Sequence, residues 1–325
     1  MVTSSSHAEG GPDPEGPQAT AVGEGPATPG AILSPSREVG IVGLGLVGTA
    51  LARRLVAAGC SLRGFDRDDR ARAAWVAAGL GQQASLREIG QGCDAVVLAV
   101  FDTAGVLEVV EGPKGLLQGG TPQVIVDCST GDPRPLQALA ERLAPRGVDF
   151  IEAPLSGSSV QIAMGEATML LGAAEAALAR HADLLQALSP RRVVVGGAGF
   201  GARAKLATNL VLGLNRAAFA EGMVFAERLG IPPAAFLELV LASPARSDAA
   251  ALKGPRMVQG DFSPQSRIRQ HLKDLDLMLA AAAAAGQGLP LTQTHADVLR
   301  AAVQAGDGDL DNAGVVRQLR RQKPP

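Results

Sequence analysis

The chain has no tyrosine and one tryptophan, and only 3% of its 325 residues are aromatic. Without a phenol, no tyrosine-dependent hydride chemistry is open to it, and any proton transfer must use another side chain. Cysteine is scarce as well. Cys60, Cys93 and Cys128 are odd in number and lack C-x-x-C spacing, which argues for reduced thiols in a cytoplasmic setting and against a disulfide framework or a metal site. Neither sign of charge dominates: 30 Lys and Arg against 32 Asp and Glu leave a net charge of −2. No basic surplus points to nucleic acid or an anionic membrane as a partner. A membrane-spanning helix needs roughly 18 apolar residues in a row, and the run Ala280–Ala285 is far shorter.

What is present suits a globular protein. Hydrophobic residues make up 46% of the chain and charged residues 19%, enough for a substantial core in one large or two modest domains. Residues 1–36 stand apart. They are dominated by Gly, Pro, Ser, Thr and Ala and lack the basic and apolar regions of a targeting signal. Such a composition buries too little apolar surface to offset ordering entropy, so a disordered tail is expected there.

The folded part opens with an apolar strand from Glu38 that runs into Gly43, Leu44, Gly45, Leu46, Val47 and Gly48. The pattern Leu46, Ala50, Leu51, Leu55 then continues as an amphipathic helix ended by Gly59. This is G-x-G-x-x-G between a strand and a helix, the context that dinucleotide binding requires. The first glycine permits a tight turn, the second lets a pyrophosphate approach the backbone, and the third allows close helix–strand packing. The helix N-terminus offers N–H groups and a positive dipole end to the phosphates. A second strand, Ser61–Phe65, ends in Asp66, where an acid hydrogen-bonds the adenosine ribose and favours NAD. Arg67 follows and can stack on adenine or meet the 2′-phosphate of NADP; the carboxylate repels that phosphate, so NAD is favoured over NADP.

Strands then alternate with helices. Runs at 94–100, 124–127, 148–151, 167–171 and 192–195 extend the pattern to a sheet of about eight short strands, with one helix expected over Ala174–Leu188. The α/β portion therefore reads as a doubly wound sheet over residues 37–198. Ligands sit in loops at the carboxyl ends of such strands. Three loops carry candidates: Val100-Phe101-Asp102; Asp127 to Pro133, with Thr130; and Ala153 to Ser159, with Ser156, Gly157 and Ser158. The last can bind a carboxylate through N–H and hydroxyl donors. Ordinary helix capping accounts for much of the second.

From Gly199 the periodicity is helical throughout, so residues 199–325 form an all-helical C-terminal domain. Helices are expected over Arg203–Leu229, Pro233–Ala242, Ser247–Met257, Ser266–Ala285, Leu291–Ala305 and Leu310–Arg320. The first carries Lys205 and Asn209, four apart and therefore on one face, at the seam between the domains, where small-molecule clefts form. Lys273 lies on a later helix and can reach the cofactor from the far side, although an exposed helix face explains it equally well. Arg246, Arg267 and Arg269 are further candidates, by charge alone, for a second anionic group.

These motifs in this order resemble the β-hydroxyacid dehydrogenase family over roughly residues 38–320. IVGLGLVG is similar to the family's GLGxMG turn, DCSTGDP to DxSTxxP, and APLSGSSVQIAMGEATMLLG to its substrate loop. GFGARAKLATN is similar to GxGxxxKxxNN, and HLKDL to its KDL motif. The resemblance implies NAD- or NADP-dependent oxidation of a short hydroxyacid. It places the family's catalytic lysine on Lys205 and the partner asparagine on Asn209. Ser156, Gly157 and Ser158 would hold the substrate carboxylate, and the conserved lysine falls on Lys273. A homodimer or homotetramer is the family-level expectation. Ser158, Thr208, Phe101 and Ser266 depart from the family pattern and bear on the substrate more than on the reaction. Two rivals share the scaffold, an imine reductase-like enzyme and a non-catalytic nucleotide-binding module. Both usually lack the lysine that this chain keeps.

Overall fold

The structure, a computed structural model, describes residues 37–322; the tail expected over 1–36 lies outside the described residues. Among the described residues nine strands form one sheet: β1 (Glu38–Val42), β2 (Ser61–Phe65), β3 (Gln82–Gln83), β4 (Ala95–Leu98), β5 (Val124–Asp127), β6 (Asp149–Glu152), β7 (Leu155–Ser156), β8 (Thr168–Gly172) and β9 (Arg192–Gly196). Their spatial order is β3-β2-β1-β4-β5-β6-β8-β7, with β9 beside β8. The chain runs outward from β1 to β3 and then crosses back to place β4 against β1. That reversal opens a crevice at the carboxyl ends of β1 and β4.

Apolar residues on both sides of the central strands β4 and β5 explain why the sheet has two cores. Val97, Val124 and Val126 face a layer with Leu51, Leu55, Ile151 and Leu184, whereas Val96, Leu98 and Ile125 face Val106, Leu136 and Leu139. Alternation along a strand sends neighbours to opposite faces. The covering helices are α1 (Leu46–Ala57), α2 (Asp69–Ala77), α3 (Leu86–Gly92), α4 (Thr103–Glu111), α5 (Pro133–Leu143), α6 (Ser159–Met164), α7 (Glu175–Arg180) and α8 (Ala182–Leu188). The 29-residue α9 (Phe200–Arg228) then leads into α10 (Pro233–Leu241), α11 (Asp248–Gln259), α12 (Ile268–Ala284), α13 (Pro290–Gln304) and α14 (Val315–Arg321). These pack around a third core containing Leu206, Phe219, Met223, Leu275, Leu299 and Val316. Among the described residues no helix is long and apolar enough to cross a membrane.

Several expectations need correction. The stretch 174–188 is two helices, not one. The break falls at His181, whose buried ring nitrogen lies 2.7 Å from Asp149 Oδ2 on β6. The doubly wound sheet is as expected; within it β8 runs antiparallel to β6 and β7 and pairs parallel with β9. The last helix starts at Val315 rather than Leu310, since the Asp311 side chain accepts from Ala313 N and sets a 3-10 turn over Asn312–Gly314. The helix carrying Lys205 starts earlier than expected, at Phe200, directly after Gly199 at φ +87°.

Candidate active site

At the crevice, Gly43 has φ +93°, and a side chain there would collide with the Ala99 carbonyl on the β4 exit. A side chain on Gly48 would strike the Gly43 carbonyl, so α1 can press against the turn only as glycine. Gly45 differs: a Cβ there would meet nothing within 4 Å. It is the N-cap of α1 and offers no side-chain cap. Open space before uncapped helix N–H groups, over Leu46 and Val47, fits a phosphate. Asp66 stands beside this turn, with Oδ2 accepting from Leu44 N at 2.8 Å and Oδ1 from Asp68 N at 2.9 Å. Arg67 is exposed.

The two neighbouring loops are tied together from the helical side. Lys273 Nζ donates to Thr130 O at 2.6 Å and to Phe101 O at 2.9 Å, and lies 5.4 Å from the Phe101 ring centre. Phe101 itself is 45% exposed. Val100 N donates to Ser129 Oγ at 3.1 Å, and Asp102 caps α4 by accepting from Gly105 N at 2.8 Å. Lys273 thus reaches both loops at the cofactor crevice, and the exposed-face reading of it is set aside.

Lys205 is 8% exposed. Its Nζ donates to Leu155 O at 2.5 Å and to Asn209 Oδ1 at 2.9 Å. Asn209 Nδ2 donates in turn to Asp274 Oδ2 at 3.2 Å, and Asp274 Oδ1 lies 2.9 Å from Lys273 Nζ. Burial pulls the Lys205 ammonium down from 10.5 to about 8; Asp274 opposes the shift and Lys273 adds to it. A lysine in that range can give or take a proton near neutral pH.

The remaining loop is placed beside this pair by β7. Ser156 is half-buried and pairs with Thr168. Gly157 has φ +154°, and a Cβ there would lie 2.7 Å from that of Ala167. Ser158 caps α6: its Oγ accepts from Gln161 N at 3.3 Å, and its own N–H donates to Gln161 Oε1 at 2.9 Å. That N–H is therefore occupied. Of the three arginines, Arg267 and Arg269 are drawn to Asp309 at 3.9 and 2.7 Å, while Arg246 stands exposed on a groove lined by Thr208 and Val211.

Two buried acids stand at these loops: Asp127, which opens one of the candidate loops, and Glu152, which sequence reasoning missed. Asp127 and Glu152 end adjacent strands and are register partners. Burial raises Asp127 from 3.8 to about 6 and Glu152 from 4.5 to about 7. The sequence offers only a weak signal for Glu152, an acid at the end of a short strand that also begins with one, just before APLSG.

Residues 38–197 match the family described as NAD binding domain of 6-phosphogluconate dehydrogenase. Residues 199–319 match the family described as NAD-binding of NADP-dependent 3-hydroxyisobutyrate dehydrogenase. The chain is 30% identical over 286 residues to an L-threonate dehydrogenase of Cupriavidus necator, covering 87% of this chain and 96% of that protein. It is 29% identical over 287 residues to a 2-hydroxy-3-oxopropionate reductase of Escherichia coli, covering 87% and 97%. The crystal structure of a 3-hydroxyisobutyrate dehydrogenase from Salmonella typhimurium superposes with a TM-score of 0.78 at 32% identity, covering 86% of this chain and 99% of that one.

Proposed function

The chain belongs to the β-hydroxyacid dehydrogenase family, and from that we propose that it interconverts a short β-hydroxyacid and its semialdehyde or keto form with Lys205 as general acid–base. It is an NAD(P)-dependent oxidoreductase acting on a CH–OH group of a small molecule. The observation that carries the finer reading is the buried Lys205 ammonium, fixed by Leu155 O and Asn209 and depressed to about 8.

When bound, the nicotinamide supplies the redox chemistry at the hydroxyl-bearing carbon. The chain's own residues do the rest. The Gly43–Gly48 turn, with Leu44, Leu46 and Val47, would hold the pyrophosphate on the α1 N-terminus, and Asp66 the ribose hydroxyls. Because that carboxylate repels a 2′-phosphate, we take NAD as the preferred cofactor. Val100, Phe101, Asp102 and Thr130 form the loops that Lys273 clamps against it. Lys205 takes the hydroxyl proton in oxidation and returns it in reduction, and Asn209 orients its ammonium. Ser156, the Gly157 N–H and the Ser158 hydroxyl would hold the substrate carboxylate; the Ser158 N–H, given to Gln161, is not a donor. Residues 199–325 would serve substrate binding and homo-oligomer contact.

The test is nicotinamide absorbance with NAD and NADP separately, against 3-hydroxyisobutyrate, glycerate and threonate, beside Lys205→Ala. Turnover on one acid, lost in Lys205→Ala, is the expected result. Full turnover by Lys205→Ala would remove the acid–base assignment.

A further inference from the structure

The helix that carries Lys205 has no cap of its own. Gly199, at its N-terminus, has no side chain, and the first N–H groups of a helix lack intrahelical partners. The cap comes from the sheet, 47 to 50 residues upstream. Glu152 closes β6 with one carboxylate oxygen on Gly199 N and the other on Ala202 N, the latter at 3.1 Å. The seat is tight on every side. A Cβ on Gly201 would lie 2.6 Å from that of Glu152, and a side chain on Gly172 of β8 would run into Gly201 N. Three residues after Glu152, the same segment presents Leu155 O to Lys205 Nζ at 2.5 Å. One stretch of chain therefore grips α9 twice, at its N-terminus and at its lysine.

We propose that Glu152 is a positioning residue for Lys205: its carboxylate sets how deeply α9 sits on the sheet, and so where the lysine ammonium stands. The claim deepens the proposed function and rests on Lys205 being the acid–base. The charged groups facing Glu152 are Asp127 on β5, which disfavours its anion, and Arg203 on α9, which favours it. At the far end of β6, Arg180 and His181 hold Asp149 instead. Two backbone donors and a 29-residue helix dipole favour the carboxylate, against the burial and the Asp127 charge that raise it to about 7.

Glu152→Gln keeps the shape, but its amide nitrogen must face one of the two N–H donors. Lifting the helix slightly should lower kcat about 10- to 100-fold, with KM and cofactor Kd within about twofold. Lys205 is read separately, without substrate, from the pH dependence of its modification by an amine-selective reagent, followed by peptide mass spectrometry. In Glu152→Gln its midpoint should rise by about one unit as the ammonium gains water. Gly201→Ala reaches the same seat by steric pressure with the carboxylate intact, and should give the same two changes; it carries the test if Glu152→Gln does not fold. Lower thermal stability with kcat per folded protein and the Lys205 midpoint both unmoved would overturn the proposal. Lys205→Ala separates the two claims: turnover surviving in it would defeat the acid–base reading, while the labelling midpoint would still decide what Glu152 does.

Discussion

At the scale of single residues, two effects of unequal size meet on Lys205. Burial disfavours the charged ammonium more than Asp274 favours it, so its pKa falls from 10.5 to about 8. Under the proposed acid–base role, oxidation needs the neutral amine, so kcat/KM in that direction should climb through about pH 8; reduction needs the ammonium and should fall through the same value. Initial rates in both directions across pH check this, and a profile flat near 8 would refute it. Lys205→Ala should cost at least about 10²-fold in either direction. Two turns further along α9, Gly213 makes the opposite point about side chains. A Cβ there would lie 2.5 Å from His271 Nε2 and 3.3 Å from His295 Cε1. Alanine improves a helix by about 0.5–1 kcal/mol, but overpacking a core costs about 1–3 kcal/mol. The collision should win. Gly213→Ala should lower the urea midpoint, and an unchanged or raised midpoint would show that the rings move aside freely.

At the scale of elements, Ser158 shows a departure from the family pattern serving local structure. With Gln161 it forms a reciprocal cap on α6, whose six residues need it. Ser158→Ala should cost about 1 kcal/mol and Ser158→Gly only a few tenths, by chemical denaturation; no loss in Ser158→Ala would mean the cap contributes nothing. Elements such as β1, β4 and β5 could be read in the sequence because their apolar runs follow from being buried on both faces. So could α9, with Lys205 and Asn209 on one face, from helical spacing, although only the motifs in order singled that pair out. The two-residue β3 and β7 could not, since two residues carry no period. The break at His181 was also hidden, because it depends on Asp149, 32 residues away. The acids of the site divide in the same way. Asp66 was legible from its place after a strand that follows the glycine turn, whereas the work of Glu152 is visible only once α9 is seen to stand on it.

At the scale of the whole molecule, the buried ionisable groups of the two halves respond to acid with opposite signs. In the helical half, His271 and His295 lie 5.3 Å apart beside the buried Arg216. Among the described residues, His271 Nε2 and both His295 ring nitrogens find no hydrogen-bond partner. Burial holds His271 well below 6.5 and brings His295 from 6.5 to about 4, with Arg216 adding to both shifts. Between pH 6.5 and about 4 the unfolded chain takes up protons that the folded helical core refuses. At about 1.4 kcal/mol per unit, His295 alone withdraws about 3 kcal/mol over that window. On the sheet side, folded Glu152 and Asp127 protonate near 7 and 6, above their unfolded values of 4.5 and 3.8. Folding there binds protons, so acid strengthens that part until the unfolded carboxylates titrate as well. The sums partly cancel, and a single melting temperature would conceal both. Hydrogen exchange resolves them. On going from pH 7 to about pH 5, after correction for intrinsic rates, amides of α12 and α13 should lose protection while those of β5 and β6 keep theirs. Replacing His295 by glutamine should slow the loss in α12 and α13 and leave the sheet unchanged. Uniform loss across both halves would mean that the histidines do not set the acid limit of the fold.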